Sequence, residues 1–553
     1  MNFSFVKLLR DEFRGYNATA LQKDLLAGIT VGAVALPLAL AFGIASGADA
    51  AAGLVTAILA GILIGGLSGA PYQISGPTGA MSAVLILLAA KYGLEGIWIV
   101  GVIAGILILL VGIFRLGHIV SFIPRPVVTG FTSGIAIIIF VGQLDSLLGV
   151  RTPSAENALA KLWNILQFNY VPNWQTMVTG GIVIAAMVLL PKAVTKRVPG
   201  SLIGIGLAML TAYVFQFQEP VIGEIPRTLI LENRLTFATF FNAQTVQALP
   251  NLLVPALSVA ALGGIESLLC GAVCGNATGK KMDSNQELLA QGIGNIVIPF
   301  FGGVPATAAI ARSSVGVASG GQTRLTSIFH ALFLLAAAFL LAPLIGQIPL
   351  AALSGVLMVT AVRMNEWHEI RWMFRHRFKS AIAAFLITMV ATAYLDLTQA
   401  VILGVALSAM LFINQIATIN VTLSDVDVEI LEARGIRLNG AHEHIRIAYL
   451  TGPLFFGAAA TLRKATEELG RDPKLIVIFS MRGVPLLDLS GLEFIEEALE
   501  RQHKHGGKLL LCAVQPAVKK YLDRSHLTRE IGEQNFFWSA DQAILAASEI
   551  QAQ

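Results

Sequence analysis

Long apolar runs, separated by short charged or Gly/Pro-rich stretches, fill the chain between Lys23 and Asn420. About fourteen runs can be distinguished, and several approach the roughly 20 residues that a helix needs to cross a bilayer. They lie approximately at residues 25–46, 51–69, 73–91, 95–114, 124–148, 176–191, 199–216, 250–273, 286–301, 305–318, 325–343, 347–362, 379–395 and 398–420. This pattern predicts a polytopic α-helical membrane protein.

The pattern changes after Asn420, where charged residues become frequent and apolar runs shrink to strand length. Strand-like runs at residues 445–450, 475–479 and 509–514 alternate with helical stretches at 458–469, 491–503 and 517–524. Such alternation predicts a small sheet covered by helices, in a soluble α/β domain. We therefore divide the chain into an N-terminal segment (1–24), a membrane domain (25–420) and a linker with a soluble domain (421–553).

Two apolar segments, residues 74–80 and 302–308, are each broken by glycine and proline. A helix cannot keep its backbone hydrogen bonds through such steps, and irregular backbone at membrane depth is tolerated only where it lines a cavity or is buried in protein. The two breaks occupy corresponding places in the two halves of the membrane domain. Paired breaks are typical of inverted-repeat carriers, whose substrate lies between two half-helices near the midplane.

Half-helices that begin after Pro77 and Pro305 would direct free backbone N–H groups and positive dipole ends at one point. A point of this kind binds anions. The side chains of Thr78, Ser82 and Thr307 would offer hydroxyl donors nearby. The alternative is that these glycines and prolines only kink packed helices.

The distribution of charged residues among the loops predicts the orientation of the chain in the membrane. The chain is 55% hydrophobic and 13% charged, whereas soluble domains average about 25% charged. Lys and Arg are retained in cytoplasmic loops, and alternate loops hold most of them: Arg115, Arg125, Lys192, Lys196, Arg197, Lys280, Lys281, Arg324, Arg363, Arg371, Arg375, Arg377 and Lys379. This asymmetry predicts an even number of spans, with both termini cytoplasmic.

Several classes of function are excluded by missing motifs. The three cysteines have no disulfide or metal-ligand spacing. Residues 275–280 are one residue short of a phosphate-binding loop, and Lys281 stands where Ser or Thr is required. The soluble domain carries no basic stripe for nucleic acid. We therefore expect no enzyme, no cofactor and no nucleotide-driven pump.

Seven segments resemble, in sequence and in order, the sulfate permease (SulP) family of anion transporters with a C-terminal STAS domain. They lie at residues 35–43, 76–80, 130–134, 264–269 and 301–313 of the membrane domain and at 452–456 and 487–491 of the tail. The resemblance implies fourteen spans in two inverted seven-helix repeats. It also implies a core domain (spans 1–4 and 8–11) that moves against a gate domain (spans 5–7 and 12–14), and a homodimer in membrane lipid.

Arg312 is a charge inside an apolar stretch, about two turns into the expected second half-helix. Such a charge costs about 3 kcal/mol at a helix centre, so it usually has a functional reason. In the resembling family this position lies beside the anion; the alternative is an arginine whose head group reaches the membrane surface. We assign substrate binding to Phe42, Thr78, Gly79, Ala80, Ala306, Thr307, Ala308 and Arg312.

Phe42 follows Pro37 in the first span, at the family's position for an aromatic that borders the anion. The weakly positive edge of the ring can meet an anion. Packing alone also explains most phenylalanines in membrane helices.

Glu266 is the second intramembrane charge, flanked by Gly263 and Gly264. A carboxyl group in an apolar setting can take up a proton near neutral pH, so Glu266 is the candidate for proton coupling. Sodium-coupled bicarbonate carriers of the family tend to have Asp here with a hydroxyl residue one turn on, whereas this chain has Glu266 and Cys270. A structural ion pair, for example with Arg312, is the alternative.

Ser490 occupies the place that is phosphorylated in soluble STAS relatives, which suggests regulation and a cytoplasmic partner at this domain. Residues 490–493 also form a capping box, Ser-Gly-Leu-Glu, that could start a helix. The capping role is the simpler interpretation.

The sequence therefore predicts a secondary transporter of the bacterial inner membrane for a small anion, sulfate or a C4-dicarboxylate, coupled to protons. Sodium-coupled bicarbonate uptake and anion exchange are the alternatives within transport. A membrane sensor or motor that signals through the STAS domain is the alternative of another class.

Overall fold

A computed structural model describes residues 3–552 except 119–123, 154, 156, 168–169, 196–197, 396, 417–419, 439–441, 457–461 and 465–474. The chain divides into two compact units, residues 1–406 and 407–553. The first unit ends inside the last apolar helix, Leu397–Ile416, ahead of the domain boundary that we placed at residue 420.

Up to residue 416, the described part of the chain is helical apart from two very short strands. Its helices are α1 Phe3–Glu12, α2 Ala18–Ala45, α3 Ala50–Leu59, α4 Gly65–Leu67, α5 Gly79–Ile113, α6 Arg125–Gly142, α7 Leu144–Leu148, α8 Ala158–Gln167, α9 Trp174–Leu189, α10 Lys192–Thr195, α11 Gly200–Val214, α12 Phe237–Phe240, α13 Ala243–Thr278, α14 Ser284–Val297, α15 Ile310–Ala318, α16 Leu325–Leu340, α17 Ala342–Gly346, α18 Leu350–Arg363, α19 Trp367–Arg375, α20 Lys379–Tyr394 and α21 Leu397–Ile416. The strands are β1 Ser75–Gly76 and β2 Thr307–Ala308.

Each of the predicted apolar runs overlaps at least one of these helices. By length and composition, five helical stretches among the described residues can cross a membrane: Ala18–Ala45, Ala50–Leu67, Gly79–Ile113, Arg125–Leu148 and Gln247–Gly275. Shorter apolar helices are Trp174–Leu189, Gly200–Val214, Leu325–Leu340 and Lys379–Tyr394.

Helix α5 overlaps two of the predicted runs, 73–91 and 95–114. Gly93, with φ of 69°, interrupts its helical backbone and separates the two arms. A positive φ is a conformation that glycine adopts at low cost. The first arm is therefore a half-helix that begins at Gly79.

Small residues allow close helix contacts in this unit. A Cβ atom on Gly28 of α2 would lie 2.6 Å from Cβ of Phe329 in α16. A Cβ atom on Gly130 of α6 would collide with the carbonyl oxygen of Phe385 in α20. The glycines therefore permit close backbone approach at these crossings.

The second unit contains a five-stranded sheet in the order β3-β4-β5-β6-β7. Its elements are β3 Asn420–Asp425, α22 Val428–Ala433, β4 Ile445–Thr451, β5 Ile476–Gly483, α23 Leu489–Lys504, β6 Lys508–Cys512, α24 Pro516–Arg524, α25 Leu527–Ile531, β7 Phe536–Phe537 and α26 Ala540–Ala552. Strand β3 is antiparallel to β4, and the remaining pairs are parallel.

The predicted strands match β4, β5 and β6, and the last two predicted helices match α23 and α24. The pattern missed β3 and β7. Most of the predicted helix at 458–469 lies outside the described residues. Apolar side chains from both faces of the sheet form buried clusters, one of which stacks Phe479 on Phe494 at 5.8 Å between ring centroids.

Candidate anion site

The two broken segments meet in space. Strands β1 and β2 pair antiparallel, with Ser75 opposite Ala308 and Gly76 opposite Thr307. Helix α5 begins three residues after β1, and α15 begins two residues after β2. The pairing therefore brings the starts of two helices, one from each half of the membrane domain, to one place.

The start of α5 is capped by Thr78. Its Oγ1 accepts a hydrogen bond from the backbone N–H of Met81 at 3.4 Å. The same hydroxyl donates to Oε2 of Glu266 at 3.1 Å. The N–H groups at the beginning of this helix have no partner within the helix, and Gly79 and Ala80 line the adjoining cavity.

The second half-helix starts later than we predicted. Helix α15 begins at Ile310 rather than after Pro305, because residues 307–308 form β2 and the N–H of Ala309 donates to the carbonyl oxygen of Ile74 at 2.9 Å. Extended backbone thus occupies the stretch that the sequence assigned to the first turns of a helix.

The N–H groups of Ala306 and Ala308 are already bound. Ala306 donates to Oδ1 of Asn295 at 2.7 Å, and Ala308 donates to Oγ of Ser267 at 3.2 Å. The hydroxyl of Thr307 lies 3.0 Å from the same Ser267 oxygen. None of these three predicted ligands is among the residues that line the cavity, whose wall contains Ala309, Ile310 and Ala311 instead.

Arg312 is the third residue of α15, so our prediction that it lies two turns into the helix was wrong. Its side chain is buried, with 1% relative exposure, which also excludes a head group that reaches the membrane surface. Nη2 donates to the carbonyl oxygen of Pro77 at 2.6 Å. Nη1 has no hydrogen-bond partner among the described residues. The guanidinium thus joins the two breaks, and its buried Nη1 is left with an unused donor.

Glu266 projects from α13 into the same cavity as Arg312. Within the part of the chain that the structure describes, no Lys or Arg nitrogen lies within 4.0 Å of its carboxylate. The ion pair with Arg312 that we considered is therefore not formed at contact distance.

The cavity that these groups share has a volume of about 360 Å³. Phe42, Thr78, Gly79, Ala80, Glu266 and Arg312 all line it. Helix α6 contributes a mostly apolar part of its lining, including Val127, Phe131 and Ile135. Arg363 and Glu366, from the end of α18 and the residues after it, also line the cavity and were not identified from the sequence.

The buried ring of Phe42 packs against the start of α5. A Cβ atom on Gly79 would lie 3.2 Å from Cε1 of this ring. The carbonyl oxygen of Phe42 accepts a hydrogen bond from Ser82 at 3.1 Å, and Ser46 donates to the Ser82 hydroxyl at 2.9 Å. Ser82 therefore holds α2 and α5 together rather than lining the cavity.

Ser490, in the second unit, does not cap its helix. Helix α23 begins at Leu489, and Asp488 is the N-cap, whose carboxylate accepts from the N–H of Gly491 at 2.9 Å and of Phe456 at 3.0 Å. The predicted capping box was wrong because an acidic residue two positions earlier takes the role. Ser490 lies in the first turn and is partly exposed.

Comparison with protein families gives two matches along the chain. The model of the sulfate permease family matches residues 21–414, and the model of the STAS domain matches residues 440–543.

Two related sequences cover nearly the whole chain. "Putative sulfate transporter YvdB" of Bacillus subtilis is 36% identical and covers 96% of this chain and 98% of that protein. The bicarbonate transporter BicA of Synechocystis is 30% identical and covers 95% of this chain and 94% of that protein.

Solved structures show the same fold. Murine Slc26a9, an anion transporter in its inward-facing state, superposes with a TM-score of 0.85 at 17% identity, over 99% of this chain and 95% of that one. The transmembrane domain of a cyanobacterial bicarbonate transporter BicA superposes with a TM-score of 0.62 at 29% identity, over 72% of this chain and 98% of that one. The predicted fold class, a polytopic helical transporter followed by an α/β STAS domain, is confirmed.

Proposed function

This chain belongs to the sulfate permease family of multi-pass membrane transporters, and we propose that it carries sulfate or a C4-dicarboxylate together with protons. Members of this family are secondary anion transporters and not enzymes. The anion, the coupling ion, the bacterial inner membrane, the cytoplasmic termini and the homodimer are parts of the proposal.

One observation carries the proposal for the binding site. The β1–β2 pair brings two helix starts together, and Arg312 donates across the pair to Pro77 while its Nη1 keeps no partner among the described residues. Helix starts carry partial positive charge and exposed N–H donors. An anion in the cavity would receive hydrogen bonds from the starts of α5 and α15 and a full positive charge from Arg312.

A dianion carries two negative charges, and the positive charge of Arg312 would balance only one of them. A proton on Glu266 would remove the carboxylate that otherwise repels the anion. Glu266 lines the same cavity, and its carboxylate is held by the Thr78 hydroxyl. Uptake of the proton and of the anion would therefore favour each other, which is the requirement for symport.

Sodium coupling is a weaker fit to these side chains. Na⁺ is a hard cation that prefers oxygen ligands. One turn after Glu266 stands Cys270, whose buried thiol donates to the hydroxyl of Ser313 at 3.3 Å. The name of the BicA relative nevertheless supports bicarbonate as the second candidate substrate.

Alternating access would move the apolar wall formed by α6 against the half-helix starts. In the family's arrangement, α6 belongs to the gate domain and α5, α13 and α15 to the core. Because the wall offers few polar groups to the anion, the ligand would remain with the core as the wall moves.

Uptake into proteoliposomes tests the proposal. Labelled sulfate, fumarate, succinate and bicarbonate are each supplied with and without an inward proton gradient, and with and without a sodium gradient. We expect sulfate or a dicarboxylate to accumulate with the proton gradient and to change the internal pH. Accumulation of bicarbonate driven by sodium would replace this proposal with the second one. Binding without any transport would favour the sensor interpretation.

A further inference from the structure

A second cavity of about 360 Å³ lies where α1, α2, the end of α13 and the turn before α16 come together. Basic, polar and small residues line it: Arg14, Tyr16, Thr19, Lys23, Lys280 and Gln322. It is distinct from the anion site, because the two cavities share no lining residue. We refer to it as the basic pocket.

The charge of the basic pocket is positive. Arg14 and Lys23 are exposed and have no acidic partner within 4.0 Å among the described residues. Lys280 donates to the carbonyl oxygen of Gln322 at 2.6 Å and keeps its charge. The one acidic residue of the lining, Glu12, is neutralised by Arg324 at 2.7 Å, with both side chains almost fully buried.

The nearby tyrosine adds no negative charge. Burial and a hydrogen bond to Asp24 raise the pKa of Tyr16 to about 12. Its phenol therefore stays protonated and donates to the Asp24 carboxylate at 2.8 Å. That carboxylate also accepts from the hydroxyls of Thr323 and Thr326, so it is fully engaged inside the protein.

An exposed apolar surface continues from the basic pocket along α2. Lys23 and Leu26 are three residues apart and so lie on the same side of the helix. Leu26 is 55% exposed, and Leu25 and Ile29 beside it are also exposed. In a membrane transporter, such a surface at the beginning of a spanning helix faces lipid.

We propose that the basic pocket binds the phosphate group of an anionic phospholipid, in the leaflet on the side of the N-terminus. The acyl chains would lie along Leu25, Leu26 and Ile29 while Arg14, Lys23 and Lys280 hold the phosphate. A free phosphate ion shares this headgroup chemistry but would gain nothing from the apolar surface. Gln322, in the turn between α15 and α16, also lines the pocket, so the lipid would brace the chain just after the helix that carries Arg312.

Lipid binding to the full-length protein in zwitterionic detergent tests this proposal. Native mass spectrometry counts bound lipid, and the melting temperature is followed in a titration with phosphatidylglycerol, phosphatidylcholine or inorganic phosphate. We expect phosphatidylglycerol to bind and stabilise the wild type, and the other two to have little effect.

The double variant Arg14→Gln/Lys23→Gln should bind phosphatidylglycerol about 25-fold more weakly. A basic residue near an anionic lipid surface contributes about 1 kcal/mol, or about five-fold in affinity. The matched control Arg371→Gln/Arg375→Gln removes two exposed charges from α19 and should leave the affinity unchanged. Lys23→Arg keeps the charge and should bind as the wild type does.

Three results would overturn the proposal. They are an unchanged affinity in the Arg14/Lys23 variant, an equal loss in the α19 control, and stabilisation by inorganic phosphate that matches stabilisation by the lipid. The melting temperature without lipid and the elution volume on size exclusion show that each variant is folded, since both altered side chains are exposed.

Discussion

Arg312 links the two broken segments through one side chain, and in our proposal the same side chain binds the anion. Nη2 is bound to the carbonyl oxygen of Pro77, so it orients the guanidinium across the β1–β2 pair. Nη1 lies so close to Gly76 that a Cβ atom there would be 2.6 Å away. The absence of a side chain at Gly76 is therefore what makes room for the charge.

The variant Arg312→Ala should bind its anion about ten- to a hundred-fold more weakly. The lost contact is a charge-assisted hydrogen bond, which contributes roughly 1.5 to 3 kcal/mol. Affinity is measured by equilibrium binding of the transported anion, with Arg371→Ala on α19 as an exposed control. Normal affinity in a variant of normal stability would leave the helix starts alone as the binding groups.

Glu266 has the position that a coupling group needs, since its carboxyl faces the cavity and accepts from Thr78. The variant Glu266→Gln keeps the size of the side chain and its capacity to accept that bond. We expect it to lose accumulation driven by a pH gradient while anion binding is retained. Uptake at several external pH values measures this: the wild type should accumulate more as the external pH falls, and the variant should show no such dependence. Concentrative uptake that is unchanged in the variant would remove Glu266 from the coupling mechanism.

At the scale of the elements, the two half-helices begin differently. Helix α5 begins two residues after Pro77 with a side-chain cap from Thr78. Helix α15 begins five residues after Pro305, and its N-cap Ala309 makes no side-chain hydrogen bond. The inverted halves are therefore not equivalent at the site, and the second half contributes the arginine where the first contributes the hydroxyl.

The capping of α23 gives a prediction for the STAS unit. Removing an N-cap side chain costs about 1 kcal/mol, so Asp488→Ala should raise the rate of amide hydrogen exchange in α23 about five-fold. Ser490→Ala should leave exchange nearly unchanged, because Asp488 supplies the cap. Hydrogen exchange of the full-length protein, followed by mass spectrometry, compares the two variants. A larger increase in exchange rate for Ser490→Ala than for Asp488→Ala would show that Ser490 caps the helix.

At the scale of the whole molecule, the residues of the anion cavity and those of the STAS unit, residues 407–553, belong to different compact units. Every residue that lines the anion cavity belongs to the unit of residues 1–406. The STAS unit has its own buried clusters on both faces of its sheet. Binding and regulation can therefore be examined independently.

A chain that ends after Asn420 should retain anion binding with affinity within about two-fold of the full chain, because no cavity residue is removed and α21 remains complete. Equilibrium binding to both purified proteins, each checked by size exclusion, provides the measurement. The prediction concerns binding alone; the transport rate of the truncated protein can differ from that of the full chain, because the STAS unit is absent. A folded truncated protein that no longer binds the anion would show that the STAS unit completes the site.

Much of this molecule follows from local sequence. Apolar runs of nearly membrane-spanning length, the Gly/Pro breaks and the alternation after Asn420 determined the helices, the paired half-helices and the three inner strands of the STAS sheet. The buried charges Glu266 and Arg312 were also evident, because ionised groups are costly in apolar surroundings and therefore conspicuous. Each of these signals depends on the residue itself or on its near neighbours.

Tertiary structure decided which donors remain available to an anion. The N–H groups of Ala306 and Ala308 looked free in the sequence, but Asn295 and Ser267, on other helices, accept their hydrogen bonds. A buried N–H without a partner is costly, so whichever acceptor the fold brings near will bind it. That choice depends on contacts between residues far apart in the chain, which periodicity does not record. The same applies to Arg312, whose bond to Pro77 spans the two halves and fixes where its remaining donor points.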